Sequence, residues 1–186
     1  LEFRRVLFRS GVIYVMTGLL LIYLVMNRHW TNVGHLFMTF ANIFNGLWIV
    51  FAKMNESGAK VYLMFFSLLF NVLCLVSVWR RIRSDYYEKK WLHYLVRNII
   101  AFYLGWVSCA MVLNLCMILI YSWKISQDTT AIIFWPIVAV VLILQVGQSI
   151  QAKTFKGFIL FFFSAAWAIC GVIVGLSQNK DNYPLI

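Results

Sequence analysis

Long apolar runs separated by short polar connectors make up almost the whole chain. Six runs, Gly11–Met26, Val33–Ala52, Val61–Trp79, Asn98–Trp123, Thr129–Gln151 and Gly157–Ser177, contain no Lys, Arg, Asp or Glu. A helix rises about 1.5 Å per residue, so some 20 apolar residues cross the ~30 Å hydrocarbon layer of a bilayer. The runs are too long for strands and lack a strict alternation of polar positions. The pattern predicts an all-α fold, a polytopic membrane bundle of six transmembrane helices in one domain over residues 11–186.

Composition strengthens that reading. Of 186 residues 63% are hydrophobic and 12% charged, with a mean hydropathy of +0.83. Soluble domains run near half apolar and a quarter charged, so an ordinary water-soluble enzyme and a disordered tail are excluded. The net charge of +10 would suit a DNA-binding domain. Here the basic residues lie between the apolar runs, where they act as topology signals and form no phosphate-binding stripe, so nucleic acid is not an expected partner. The expected partner is the lipid bilayer, and the expected location an integral, multi-pass position in a membrane. Cys74, Cys109, Cys116 and Cys170 all fall inside apolar runs and read as small buried hydrophobes. The segment Leu1–Ser10, LEFRRVLFRS, resembles an in-frame translation of a sequencing adapter and is set apart from the fold. On that reading the natural chain begins upstream, with one or more further helices.

Counting Lys and Arg in alternate connectors orients the bundle. One side collects nine, six of them between Arg80 and Arg97, and the other side four. The richer side is expected to be cytoplasmic, with the C-terminus outside. The sequon Asn55-Glu56-Ser57 falls in a connector assigned to the outside, a weak agreement.

Uncharged spans exclude ion pumps, proton relays, voltage sensors and a retinal Schiff base, which need ionisable groups at membrane depth. No catalytic acid, base or nucleophile set lies there, so an enzyme is not the expectation. His29, His35 and His93 flank spans and read as solvated ends rather than metal ligands. The polar groups left inside are Asn42, Asn45, Asn71, Asn114, Gln145 and Gln148 with scattered Ser and Thr. An amide in hydrocarbon needs a partner, in another helix or in a ligand, and interhelical glue is the plainer alternative for each.

Two patterns stand out from that background. Trp106, Ala110 and Asn114 recur every four residues and share one stripe of a helix. A flat indole, a small residue and an amide suit a pocket wall, and equally a packing seam in which Ala110 admits a neighbouring helix. In Phe44-Asn45-Gly46-Leu47-Trp48, Asn45 and Trp48 share a face. Trp79 stands at a helix end, where an interfacial aromatic belt accounts for it, as for Trp30, Trp91 and Trp123.

Both patterns resemble the translocator-protein family, the TspO or tryptophan-rich sensory proteins. Tyr103, Trp106, Ala110, Leu113 and Asn114 match the spacing of its last core helix, and Phe44 to Phe51 resembles its Leu-Asn-x-x-Trp region. The likeness covers about Gly11 to Trp123. Phe102 departs from the usual proline before the tyrosine, the early Pro-Val-Trp-type motif is not visible, and two spans extend beyond the five-helix core. The resemblance implies an aromatic cavity for a flat apolar molecule, a porphyrin, haem or sterol-like ligand. Its walls would be Trp106, Ala110 and Asn114 on one side and Asn45 and Trp48 on the other. Leu119, Tyr121 and Lys124 fit a sterol-motif pattern, as do Leu92, Tyr94 and Arg97, a recurrence that weakens both matches. The alternatives are a structural or assembly subunit of a membrane complex and, more weakly, a transporter of uncharged solutes. The oligomeric state stays open.

Overall fold

The computed structural model describes residues 32–54, 58–81, 90–151 and 160–167, together with Val15, Gly18 and Cys170. Helix α1 runs Asn32–Ala52, α2 Gly58–Arg81, α3 Lys90–Met117 and α4 Gln127–Gln151, with a π-helical turn, Ile118–Ser122, closing α3. Residues 160–167 form a further helical stretch, and no strand occurs among the described residues. Among the described residues, three helices are long and apolar enough to cross a membrane, over Gly34–Ala52, Gly58–Arg81 and Tyr94–Ser122. The predicted runs Val33–Ala52, Val61–Trp79 and Thr129–Gln151 are therefore helices within three residues of their expected ends. Most of the first and last predicted runs lies outside the described residues.

One boundary moves substantially. The expected connector Arg80–Arg97 ends early, because α3 already begins at Lys90. Charged residues were read as loop, but Lys, Arg and Glu are good helix formers. The shift carries Arg97 into the helix, so the third span contains a basic residue that the apolar run alone excluded.

The helix ends are locally encoded. Past α1, Lys53 N–H donates to Val50 O and Met54 N–H to Phe51 O, both at 3.1 Å. These tighter bonds satisfy carbonyls that the last helical turn would leave open. Lys60 Nζ donates to Met54 O at 3.0 Å, binding the two ends of the α1–α2 connector together. After the π turn, Lys124 adopts a left-handed φ of 56° and Ile125 N–H returns to Leu119 O at 3.0 Å. The reversal there is sharp. Ser126 then caps α4, its Oγ accepting from Thr129 N–H at 3.2 Å.

The core lies on α2. Its residues Val61, Met64, Leu68, Asn71, Leu75 and Val78 are buried at helical spacing, and α1 and α3 pack on either side. Phe44 stacks on Phe70 with centroids 5.4 Å apart, and the Arg81 guanidinium lies 5.0 Å over the Phe37 ring. Rising residue numbers on α1 meet falling ones on α2, so the pair is antiparallel. The same holds for α2 and α3, joined by Asn71–Tyr103 and Trp79–Arg97. The far face of α1, with Leu36, Phe40, Ile43, Leu47 and Val50, is exposed. In a membrane that face meets lipid, since every backbone bond is already made within the helix.

The 160–167 stretch docks on α3. Asn98 Oδ1 accepts from Leu160 N–H at 3.1 Å, so a side chain of α3 bonds the backbone of this stretch. A Cβ added at Gly105 would collide with Ser164 Oγ and lie 2.7 Å from Phe161 O. Glycine is required there for the close helix approach.

Candidate functional site

The cross-helix contacts fix which residues share a level. Asn71, on the middle helix, is fully buried, and its Nδ2 donates to the Tyr103 hydroxyl at 3.3 Å. The α1–α2 contacts bring Asn45, also buried, within about a turn of Asn71. A polar layer of Asn45, Asn71 and Tyr103 thus crosses the core, with Ser67 buried one turn away on α2. Next to it along the bundle lie Trp48 on α1, Leu68 on α2 and Trp106 on α3. Trp48, Trp106 and Ala110 pack, partly buried, against one cluster that includes Met38, Leu68, Leu75 and Leu104.

Asn114 stands apart from this layer. It lies eight residues beyond Trp106, about 12 Å along the helix, level with the start of α2. Its Nδ2 donates to Ala110 O at 2.8 Å, within its own helix. Asn42 is spent in the same way on Met38 O, at 2.9 Å. Of the sterol-motif residues, Leu119 is buried while Tyr121 and Lys124 are exposed, so they share no face. In the second such match Arg97 is buried and Tyr94 exposed.

The buried polar atoms Trp48 Nε1, Asn71 Oδ1, Ser108 Oγ and Asn114 Oδ1 make no hydrogen bond among the described residues. An unsatisfied buried donor or acceptor costs about 1–3 kcal/mol. Such groups mark places where a polar partner is in demand.

At the opposite end of the bundle from Asn114, Trp79 is only 2% exposed, with the Arg97 guanidinium 4.2 Å above its ring. The belt reading of Trp79 is therefore corrected. It is a core residue whose π-face carries a charge. Sequence reasoning also passed over Tyr103 as the partner of Asn71. Their separation along the chain of 32 residues leaves no local signal. No group of three metal-ligating side chains occurs among the described residues.

The model of the TSPO-like protein family matches residues 10–186. The chain belongs to that family. The match extends past Trp123, where the motif likeness stopped, so the last two apolar runs are part of the family's own pattern rather than an appendage. With three helices able to span a bilayer, the protein is an integral membrane protein. Among curated proteins and solved structures, none matches the chain.

Proposed function

We propose that the protein is a TspO-like receptor or handler of a flat apolar small molecule, held among the aromatic side chains of a six-span bundle. Family membership over residues 10–186 carries this reading. It is supported by Trp48, Trp106 and Ala110 flanking one cluster next to a buried polar layer. In this reading Trp106 offers its ring face, Ala110 leaves room, and Asn45 and Asn114 orient polar edges of the ligand. A porphyrin or sterol-like molecule is the ligand class.

Titration with a porphyrin, followed by quenching of tryptophan fluorescence in detergent or nanodiscs, tests the proposal. Trp106→Ala should weaken binding about fivefold or more, in line with an aromatic stacking contribution of order 1 kcal/mol. Asn114→Leu separately removes a polar contact at similar size. Saturable binding that both variants leave unchanged would move the site elsewhere. No saturable binding by the wild type would favour the second reading, a packing or assembly subunit. One observation already favours that reading, the commitment of the Asn114 amide to its own helix.

A further inference from the structure

We propose that the outer seam between α1 and α2 holds one anionic phospholipid, its phosphate at Arg80 and Arg81 and an acyl chain along the phenylalanines below. The site lies on the outside of the bundle and is independent of any ligand held within it. Along α2, Leu63, Phe66, Phe70 and Leu73 are exposed, at alternating steps of three and four residues that keep them on one face. Arg80, seven residues past Leu73, and its neighbour Arg81 are exposed where that stripe ends. Phe37, Phe40 and Phe44 follow the same spacing on α1. Phe44 stacks on Phe70 and meets Phe40 with centroids 6.5 Å apart. The two stripes therefore adjoin, and the Arg81 guanidinium over Phe37 marks the polar end of the seam.

Charge and length both point to that occupant. The segment from Arg80 to Arg97 holds six basic residues against two acidic ones, Asp85 and Glu88, so a positive excess remains however those two pair. Stacking on Phe37 engages one face of the Arg81 guanidinium and leaves its N–H edge for hydrogen bonding. Such an edge matches a phosphate with two parallel bonds. The ten residues from Phe70 to Arg80 rise about 15 Å, the depth of one leaflet of a ~30 Å hydrocarbon layer. A headgroup at the arginines thus brings its acyl chain down to the Phe44–Phe70 stack. A zwitterionic lipid carries its own cation beside the phosphate and offers the arginines less. A free phosphate ion gains nothing from the apolar stripe.

Native mass spectrometry of the full chain, titrated with phosphatidylglycerol or phosphatidylcholine of equal chain length, provides the test. Each arginine near a membrane surface is worth about fivefold toward an anionic lipid. Wild type should therefore retain its first phosphatidylglycerol at a concentration at least about tenfold lower than its first phosphatidylcholine. Arg80→Gln leaves the Arg81–Phe37 stack in place and should narrow that preference about fivefold, even if the double variant does not fold. Arg80→Gln combined with Arg81→Gln should erase it. Lys53→Gln removes an exposed charge just past the opposite end of α1 and should leave it unchanged. Glycerol phosphate, the headgroup without chains, should form no adduct at the concentration where the lipid saturates. A smaller preference in wild type overturns the proposal, as does one that Lys53→Gln reduces as much as Arg80→Gln. A preference that survives in the double variant assigns the lipid to another surface and also overturns it. Adducts of glycerol phosphate would make the arginines a site for a soluble anion, against the lipid.

Discussion

Arg97 carries a positive charge at a position only 6% exposed, three residues inside a span that begins at Tyr94. That depth is about 4.5 Å from the helix end, close enough for a long side chain to stay near the headgroups while its stem is covered. The Trp79 ring beneath it supplies the compensating interaction, worth about 2 kcal/mol when water is excluded. Trp79→Leu keeps an apolar filler and deletes the π-face, so it should lower stability by about that amount, read as a fall in the thermal midpoint in detergent. Arg97→Lys keeps the charge but loses the planar stack, and should recover only part of the wild-type stability. Unchanged melting of Trp79→Leu would deny the ring any role in holding the charge.

The helices are individually legible and their docking is not. Gly105 is one of ten glycines in the chain, and nothing in its neighbourhood marks it out. Gly18, Gly46, Gly58 and Gly147 would each meet nothing within 4 Å if given a Cβ. At Gly105 the added carbon runs into the backbone carbonyl of Phe161 as well as the Ser164 side chain. Gly105→Ala should therefore push the 160–167 stretch off α3 and cost about 1–3 kcal/mol, as overpacking does. Trimming the side-chain obstacle with Ser164→Ala should restore only a fraction, because the carbonyl cannot be trimmed. Thermal unfolding of the single and double variants checks both statements. The Asn98–Leu160 bond sits two turns along the same face, so Asn98→Leu should loosen the same contact.

For the whole molecule, the asymmetry of basic residues predicts an orientation in the membrane. The segment from Arg80 to Arg97, which takes in the end of α2, the connector and the first turns of α3, holds six of the nine counted on the richer side, and the positive-inside rule predicts that it is cytoplasmic. A cysteine introduced by Ser84→Cys, with the native cysteines replaced, should resist an impermeant maleimide in intact cells and react in inverted vesicles. Labelling from outside intact cells would invert the orientation. The Arg81–Phe37 and Arg97–Trp79 contacts lie at this same end, so charges counted as topology signals also pack this rim of the bundle.

Hydrophobic run length and the absence of charge were enough to give the membrane class, the all-helical fold and the helix limits of α1, α2 and α4, because these depend on transfer free energy summed along contiguous residues. The spacing of Tyr103, Trp106, Ala110 and Asn114 was enough to suggest the family, because a helix turns local spacing into a shared face. What needed the tertiary structure was the identity of the partners. Asn71 meets Tyr103, Trp79 lies under Arg97 and Asn98 accepts from Leu160 N–H, each across an interface between two helices. The fate of each amide was equally hidden. Asn71 and Asn114 read alike as buried polar residues, yet one bridges two helices and the other bonds within its own. Helix periodicity states which face a residue occupies; only the register between antiparallel helices decides what stands opposite it.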